Sequence, residues 1–397
     1  MKKIILGVTG SIASYKAVEI VRLLKKRGYS VSVVMTPDSV NFISPLIFEI
    51  ISENKVIIDQ FKDSDNYKVE HVKMARETEL FVIAPASLNT IGKFTSGIAD
   101  NFLTLLFFAY TGKVLIAPAM NTAMYLHPVN KKNIEYLKSI GVDFISPSEG
   151  SLACGEEGVG RLAEPEDIVD IIESYLEKKL YKGKRILVSG GGTREKIDDF
   201  RFITNPSSGK TGVEFARIAR NFGAETTLVS GKNNLKIPQG INYIEIESGK
   251  EMYEELNKKI KEADILIMSA AVSDFKPSDY KKGKIKKTDF SLNLKLDKNP
   301  DILKELSLKK KGNQIFVGFS AEYGLEKKEA EKKLKEKNLD IIILNSIKEK
   351  NLGFGSEDNR TILIFKDGDI IDTGVISKRE LAKLVLEKIY DKWIRKT

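Results

Sequence analysis

Three side chains in this 397-residue sequence are candidates for proton chemistry: the two histidines, His71 and His127, and the single cysteine, Cys154. Imidazole exchanges a proton near neutral pH. A thiol can also deliver one, and Cys154 lies in Ala153-Cys154-Gly155-Glu156-Glu157-Gly158-Val159-Gly160-Arg161. That stretch is so rich in glycine that it reads as a mobile flap able to bring the thiol in late. Each residue also has a plainer reading. His71 could be a half-exposed histidine on the helix ahead of the Leu80 strand, and Cys154 an inert small residue. His127, beside Pro128, reads as structural. One cysteine permits no internal disulfide and fits a reducing compartment. With two histidines and one cysteine, a Cys/His zinc site is not expected.

Two glycine loops point to phosphate chemistry. From Arg185 to Gly212 the chain reads RILVSGGGTREKIDDFRFITNPSSGKTG, and from Lys2 to Val21 it reads KKIILGVTGSIASYKAVEIV. Each is an apolar strand, a glycine turn and then a helical pattern. Glycine lets the backbone approach a ligand, and the following helix offers free N–H groups and a partial positive charge. Gly209-Lys210-Thr211 imitates the end of a P-loop. The required upstream glycine is replaced by Thr204, however, and Pro206 interrupts the loop, so a P-loop NTPase is not expected. The first turn, GVTGSIA, lacks the G-x-G-x-x-G dinucleotide fingerprint. Its neighbouring hydroxyls, Thr9, Ser11 and Thr36, suit a single phosphate, as in flavodoxin-like mononucleotide sites.

These loops need scaffolds. The length predicts two or three domains. Apolar residues at 42% and charged residues at 30% describe a globular chain rather than a disordered one. No apolar run approaches the roughly 20 residues of a membrane span. The chain passes directly from Lys2-Lys3 into a strand, so a cytoplasmic protein is expected. The pattern predicts a first α/β domain over 1–178 and a second over 184–397, with Lys178 to Lys184 (KKLYKGK) as linker. In the first, strands are expected at Lys2–Thr9, Ser30–Thr36, Leu80–Ala84, Lys113–Ala117 and Val142–Ser146, with helices at Ala13–Arg27, Ala99–Tyr110 and Pro165–Lys179. The strands at Leu80 and Lys113 both end in small residues, Ala84-Pro85-Ala86-Ser87 and Ala117-Pro118-Ala119-Met120. Ligands of parallel sheets sit at such carboxyl ends, and two of this kind suit a flat ligand. In the second domain, strands alternate with helices up to a hairpin around Asp367-Gly368 and a final helix over Ser377–Trp393. Asp274 to Asn299 reads as a lysine-rich loop or flap with a short strand at Ser291–Leu296. The net charge of +9 reads as a solvated lysine surface, or as a nucleic-acid surface. Against the latter, aromatic residues are not interleaved with the lysines.

At motif level the sequence resembles a known family. GSIA, APAS, GIADN (Gly97 to Asn101), PAMN, and ACG followed by GxGR resemble the flavin-dependent cysteine decarboxylases. GGTREKID, NPSSGK, AAVSDF, KIKK, KNPDI and GFSAE resemble phosphopantothenate–cysteine ligase. In this order, over nearly the whole chain, they look like the bifunctional enzymes of coenzyme A biosynthesis. The resemblance implies a flavodoxin-like or Rossmann-like flavoprotein domain, then a Rossmann-like ligase domain with an antiparallel addition. It implies that the first domain binds FMN and decarboxylates 4′-phospho-N-pantothenoylcysteine to 4′-phosphopantetheine. The flavin would oxidise the thiol to a thioaldehyde, whose sulfur acts as an electron sink for loss of CO₂. His71 matches the active-site histidine, Asn121 the residue gripping the substrate carboxylate, and Cys154 the proton donor. Gly10, Ser11, Thr36, Ser87, Asp100 and Asn101 match FMN contacts. The second domain would join 4′-phosphopantothenate to cysteine through an acyl nucleotide made from CTP, or ATP in some lineages, with Mg²⁺. Asn205 matches the residue handling that intermediate, and Lys284 the flap lysine at the phosphates. Ala270, Asp274, Pro300, Asp301, Ile302, Leu303, Phe319, Lys333 and Lys337 match further nucleotide contacts, although each lysine could equally be a surface residue. A homo-oligomer is implied, with trimeric flavin domains, dimeric ligase domains and a possible dodecamer.

Two departures stand out. Pro206 occupies a position where a more polar or basic residue is usual, and Asp199-Phe200 replaces the usual proline and aliphatic pair. Two other functions remain open at this level. One is a flavin-linked oxidoreductase without ligase activity, which would release no pyrophosphate. The other is a colourless, basic nucleic-acid-binding protein whose binding would be sensitive to salt.

Overall fold

The computed structural model describes residues 1–59, 70–151, 155, 157–286, 293–346 and 355–395, in two units, Met1–Glu177 and Lys178–Thr397. The first unit runs β1 (Lys3–Val8), α1 (Ser14–Lys26), β2 (Ser30–Met35), α2 (Pro45–Ser52), α3 (Glu70–Glu77), β3 (Leu80–Ala86), α4 (Leu88–Ser96) and α5 (Phe102–Ala109). It continues with β4 (Lys113–Pro118), α6 (Thr122–Leu126), α7 (Pro128–Ser139), β5 (Asp143–Phe144), β6 (Ser148–Ser151), β7 (Glu157–Arg161) and α8 (Pro165–Leu176). Strands β2-β1-β3-β4-β5 form one parallel sheet in that order. This is the flavodoxin-like doubly wound order, whose ligand crevice lies where the winding reverses, between β1 and β3. Side chains alternate along β1. Ile4, Leu6 and Val8 enter one apolar layer with Ala17, Ile20, Val21 and Leu24 of α1. Ile5 enters the opposite layer with Leu103 and Leu106 of α5. Each fully buried aliphatic chain of this kind contributes about 1.5–3 kcal/mol.

The second unit runs β8 (Arg185–Gly190), β9 (Arg194–Lys196), β10 (Phe202–Thr204), α9 (Lys210–Asn221), β11 (Glu225–Gly231), β12 (Asn242–Ile246), α10 (Gly249–Lys259) and β13 (Ile265–Met268). It continues with β14 (Phe275–Pro277), β15 (Leu296–Lys298), α11 (Ile302–Ser307), β16 (Ile315–Glu322), α12 (Lys327–Glu336), β17 (Ile341–Ser346), β18 (Asp358–Phe365), β19 (Ile370–Ser377) and α13 (Lys378–Ile389), ending in a π-type turn, Tyr390–Ile394. Its sheet has the order β12-β11-β8-β13-β16-β17-β18-β19. It is parallel as far as β17 and antiparallel through β18 and β19. The winding reverses between β8 and β13. A glycine pair sets the approach of α9 to β8, because a Cβ at Gly212 would lie 2.7 Å from the Gly190 Cα.

Three sequence expectations are corrected. The expected helix Ala99–Tyr110 starts only at Phe102. Asn101 caps it, its Oδ1 accepting from the Thr104 N–H at 3.1 Å while the Thr104 hydroxyl takes the Asn101 N–H at 3.2 Å. Local capping chemistry thus overrides the apolar pattern. The expected linker holds a core residue: Tyr181 is fully buried. It lies parallel to the Phe222 ring at 6.3 Å, and its hydroxyl donates to the Leu386 carbonyl. The second unit therefore begins before residue 184, since an aromatic chain of this size finds more apolar surface in a core than along a tether. Thirdly, the glycine-rich stretch holds a regular element. Gly158 to Arg161 lie in β7, paired antiparallel with β6. Among the described residues, no helix is long and apolar enough to cross a membrane.

Candidate active sites

In the first unit the candidate residues gather at the carboxyl ends of β1, β3 and β4. The buried Thr9 hydroxyl donates to the Pro85 carbonyl at 2.8 Å and accepts from the Ser87 N–H at 2.8 Å, stitching the ends of β1 and β3 together. Gly10 and Ser11 follow in the turn before α1, where a Cβ on Gly10 would stand 3.0 Å from Asp38. Thr36, after β2, is buried and its hydroxyl has no hydrogen-bond partner. Such an orphan is costly unless a ligand satisfies it, and beside a glycine turn at a switch point it fits a phosphate. Ser87 caps α4, its Oγ accepting from the Thr90 N–H at 3.3 Å. Asp100 pairs with Lys93 at 2.7 Å, a contact that holds its carboxyl below the usual range. It also accepts from the Asn101 amide at 3.0 Å.

His71 lies on α3, half-buried, edge-on to Phe102 with the ring centroids 6.3 Å apart. Helix packing therefore brings it to the first residue after Asn101. Asn121 caps α6 by accepting from the Ala123 N–H at 2.7 Å. The β6–β7 hairpin packs on this same loop, with the Met120 N–H donating to the Gly160 carbonyl at 3.0 Å. Cys154 lies outside the described residues. His127 caps α7 through Nδ1, which accepts from the Val129 N–H at 3.2 Å, as suits a structural histidine.

The hairpin's glycines serve close approach. A Cβ on Gly160 would fall 2.3 Å from the Met120 carbonyl oxygen, and φ there is 137°. Gly160→Ala should push the hairpin off the loop that holds Asn121. We expect decarboxylation to fall on the order of 10²-fold, the usual cost of misplacing a reacting group by an ångström. Ligation by the same protein is the internal reference, and an unchanged ratio of the two rates would refute this account.

In the second unit a cavity of about 380 Å³ opens at the carboxyl ends of β13, β16 and β17 and the start of α9. Ala270 and Asp274, the Pro300 to Leu303 segment, Phe319, Lys333 and Lys337 all line it. Lys333 donates to Glu322 at 2.7 Å and to the Ser320 hydroxyl at 3.0 Å, and hydrogen bonds to Glu322 from Lys333 and then Ser320 keep its carboxyl below its ordinary value. Lys337 pairs with Asp301 at 2.7 Å, while Asp301 caps α11. Phe319 stands edge-on to Phe215 at 5.8 Å. Asn205 also lines the cavity, its amide donating to the Val272 carbonyl at 3.0 Å and to Ala271 at 3.4 Å. No group of three His, Cys, Asp or Glu residues suited to a metal occurs among the described residues.

Lys284 is not among the lining residues. Its ammonium lies over the Phe200 ring, 5.6 Å from the centroid. The loop that carries it is clasped by the Asp198 and Asp199 carboxylates. The Ile285 N–H donates to Asp198 at 3.1 Å and the Gly283 N–H to Asp199 at 2.7 Å. Tyr280 also donates to Asp199, and these contacts hold the Asp199 carboxyl below its usual range. Sequence reasoning missed several lining residues: Lys210, Asn345, Asn359 and Lys378. Lys210 had a signal, the Gly-Lys-Thr set aside as a false P-loop. The other three lie far along the chain with no motif around them, and only sheet order brings them here.

Comparison with known proteins agrees with this architecture. Residues 1–177 match the family described as "Flavoprotein", and 181–392 match the "DNA/pantothenate metabolism flavoprotein C-terminal domain". The chain is 41% identical over 392 residues to the coenzyme A biosynthesis bifunctional protein CoaBC of Bacillus subtilis, covering 98% of this chain and 96% of that one. It is 42% identical over 392 residues to the protein of the same name from Borreliella burgdorferi, covering 98% and 99%. It is 41% identical over 353 residues to a cysteine/cysteine sulfinic acid decarboxylase of an unknown prokaryotic organism, covering 87% and 98%. The chain therefore belongs to the family of coenzyme A biosynthesis bifunctional proteins, which unite phosphopantothenoylcysteine decarboxylase activity on a flavoprotein domain with phosphopantothenate–cysteine ligase activity.

Proposed function

We propose that Met1–Glu177 is an FMN-dependent decarboxylase of 4′-phospho-N-pantothenoylcysteine, and that Lys178–Thr397 is a CTP-dependent ligase of 4′-phosphopantothenate and cysteine. What supports the reading is that, among the described residues, each unit brings several of its motif residues to its own switch point, with Lys284 outside the second cavity. In the first, an unsatisfied buried Thr36 hydroxyl awaits an acceptor or donor. In the second, Asn205 and the nucleotide residues share one cavity.

When bound, FMN supplies the two-electron exchange between the cysteinyl thiol and a thioaldehyde that allows CO₂ to leave. Gly10, Ser11 and Thr36 would hold its phosphate, and Ser87, Asp100 and Asn101 would hold the rest of the cofactor. His71 takes and returns a proton at the substrate. The Asn121 amide holds the carboxylate without neutralising it, so CO₂ remains a good product. Cys154 donates the closing proton. In the ligase, the Asn205 side chain orients the acyl nucleotide against the Val272 end of the sheet. Lys333 and Lys337, anchored by Glu322 and Asp301, position the nucleotide, and Lys284 reaches its phosphates by leaving Phe200. Mg²⁺ would be held chiefly by the triphosphate, because this ion takes few protein carboxylates and many phosphate or water oxygens. We assign the protein to the cytoplasm, in keeping with its lone cysteine, and to a homo-oligomer.

The test is an absorbance spectrum with identification of the released cofactor, followed by separate assays of the two half-reactions. A yellow protein releasing FMN, with CTP-dependent pyrophosphate release, is expected. A colourless protein that FMN does not reconstitute would sink the first assignment. Equal turnover with ATP would sink the CTP preference.

A further inference from the structure

A group of charges lies where α1 and α8 begin, apart from the residues assigned to flavin and substrate. The two helices are already joined along their lengths. Ala17, Ile20, Val21 and Leu24 share an apolar layer with Ile168, Val169 and Ile172, and Arg27 pairs with Glu173 at 2.6 Å. Near their starts, Lys16 of α1 has a side chain only 8% exposed, and its ammonium donates to both oxygens of Glu164 at 3.0 Å. Enclosing an ion pair costs desolvation that its attraction seldom repays. Helix packing does not need this one, so its place calls for another reason.

Glu164 also serves a second cation. Arg161, the last residue of β7, lies 3.2 Å from the same carboxylate. Its guanidinium runs beside β6, where a Cβ on Gly150 would stand 3.6 Å from it. One carboxylate thus stands between two cations from different elements. Glu164 occupies the N-cap position of α8, yet its side chain makes no capping hydrogen bond, and its oxygens go to Lys16 and Arg161 instead. The elements it joins frame the first site. Lys16 lies in the first turn of α1, after the Gly10-Ser11 turn, and nearby Ser14 donates to the Thr9 and Ser11 carbonyls at 3.0 and 2.7 Å. Arg161 follows Gly160, whose carbonyl accepts the Met120 N–H at 3.0 Å.

We propose that Glu164 is a positioning residue for decarboxylation, tethering the β6–β7 hairpin, through Arg161, to the helix that follows the first glycine turn, through Lys16. This rests on the decarboxylase reading above and adds what fixes the hairpin. Glu164 acts through Arg161 on Gly160, and so on the loop that holds Asn121. Displacing a reacting group by an ångström costs on the order of 10²-fold in rate. The two contacts respond differently to salt. Lys16 is enclosed, whereas the Glu164 and Arg161 side chains are 38% and 43% exposed. Salt therefore weakens the Arg161 contact more than the Lys16 contact.

The test uses the 397-residue chain as wild type, Arg161→Gln, Arg161→Lys, Glu164→Gln and the Arg161→Gln/Glu164→Gln pair. Formation of 4′-phosphopantetheine by the FMN-saturated protein gives kcat and KM. Flavin fluorescence gives FMN affinity, and hydrogen exchange at the Met120 amide is followed with and without FMN. Arg161→Gln should lower kcat at least about tenfold, with KM and FMN affinity within about twofold of wild type. Exchange at Met120 should quicken at least about fivefold, because the hairpin that covers it is less firmly held. Arg161→Lys keeps the cation and should recover most of both effects. The double variant should lose no more than Glu164→Gln alone, because the two residues make one contact. Raising KCl from about 0.05 M to about 0.5 M should bring the wild-type kcat toward that of Arg161→Gln and leave the variant unmoved. A pair serving stability alone would not give that response. Wild-type kcat and Met120 exchange in Arg161→Gln overturn the proposal, as do additive losses in the double variant. Should Glu164→Gln fail to fold, the Arg161 variants and their salt response decide. A wild type that binds FMN but forms no 4′-phosphopantetheine refutes the decarboxylase reading. A wild type that forms it no faster than Arg161→Gln at either salt concentration refutes only the tether.

Discussion

Replacing His71 with asparagine should abolish decarboxylation and leave ligation intact. Positioned acid–base groups contribute about 10²–10⁴-fold to rate, and the loss should fall in that range. Asparagine is polar, slightly smaller than histidine and without a proton to exchange near neutrality. The site on α3 is half-buried, with one edge against Phe102, so the substitution should disturb packing little. The measurement is 4′-phosphopantetheine formation from 4′-phospho-N-pantothenoylcysteine, with pyrophosphate release followed on the same preparation. Decarboxylation within threefold of wild type would reduce His71 to a packing residue. Parallel loss of ligation would point to misfolding instead.

Asn205→Asp should do the reverse, and for a sharper physical reason. The Asn205 amide nitrogen donates to the carbonyls of Val272 at 3.0 Å and Ala271 at 3.4 Å. Aspartate has the same shape but presents a carboxylate oxygen where that donor stood. The pair becomes acceptor against acceptor, and a negative charge enters a cavity that must hold phosphates. We expect ligation to fall about 10²–10³-fold, the range seen when one preorganised donor is removed. Decarboxylation should be unchanged. Asn205→Ala separates the contributions: it removes the donor without adding charge, so it should lose less. If the alanine variant ligates as fast as wild type, Asn205 serves loop geometry alone and the assignment to the acyl nucleotide fails.

How much could be read without coordinates varies along the chain. Strands β1, β3, β4 and β8 were legible because parallel strands covered on both faces are continuous apolar runs. The start of α5 was misplaced because Ala99 to Asn101 fit an extended helical pattern until the Asn101–Thr104 capping box is considered. The flap was misjudged because glycine has two uses that look alike in sequence. At Gly160 it makes room for the Met120 carbonyl, which is a tertiary requirement. Tyr181 was taken for linker because a single aromatic among lysines carries no period, and its neighbours Phe222 and Leu386 lie far along the chain.

The sequence by itself determined the class of the protein and its two α/β units, because strand and glycine-turn signals are local. Tertiary structure alone decided what shares a cavity. Sheet order carries Asn345 and Asn359 to the nucleotide residues, and the packing of α13 on α9 brings Lys378 beside Lys210. It also decided that Lys284 rests over Phe200, because that position depends on hydrogen bonds from Ile285 and Gly283 to a distant carboxylate pair. Contacts between residues far apart in sequence leave no period in the chain, and so they become visible only when it is folded.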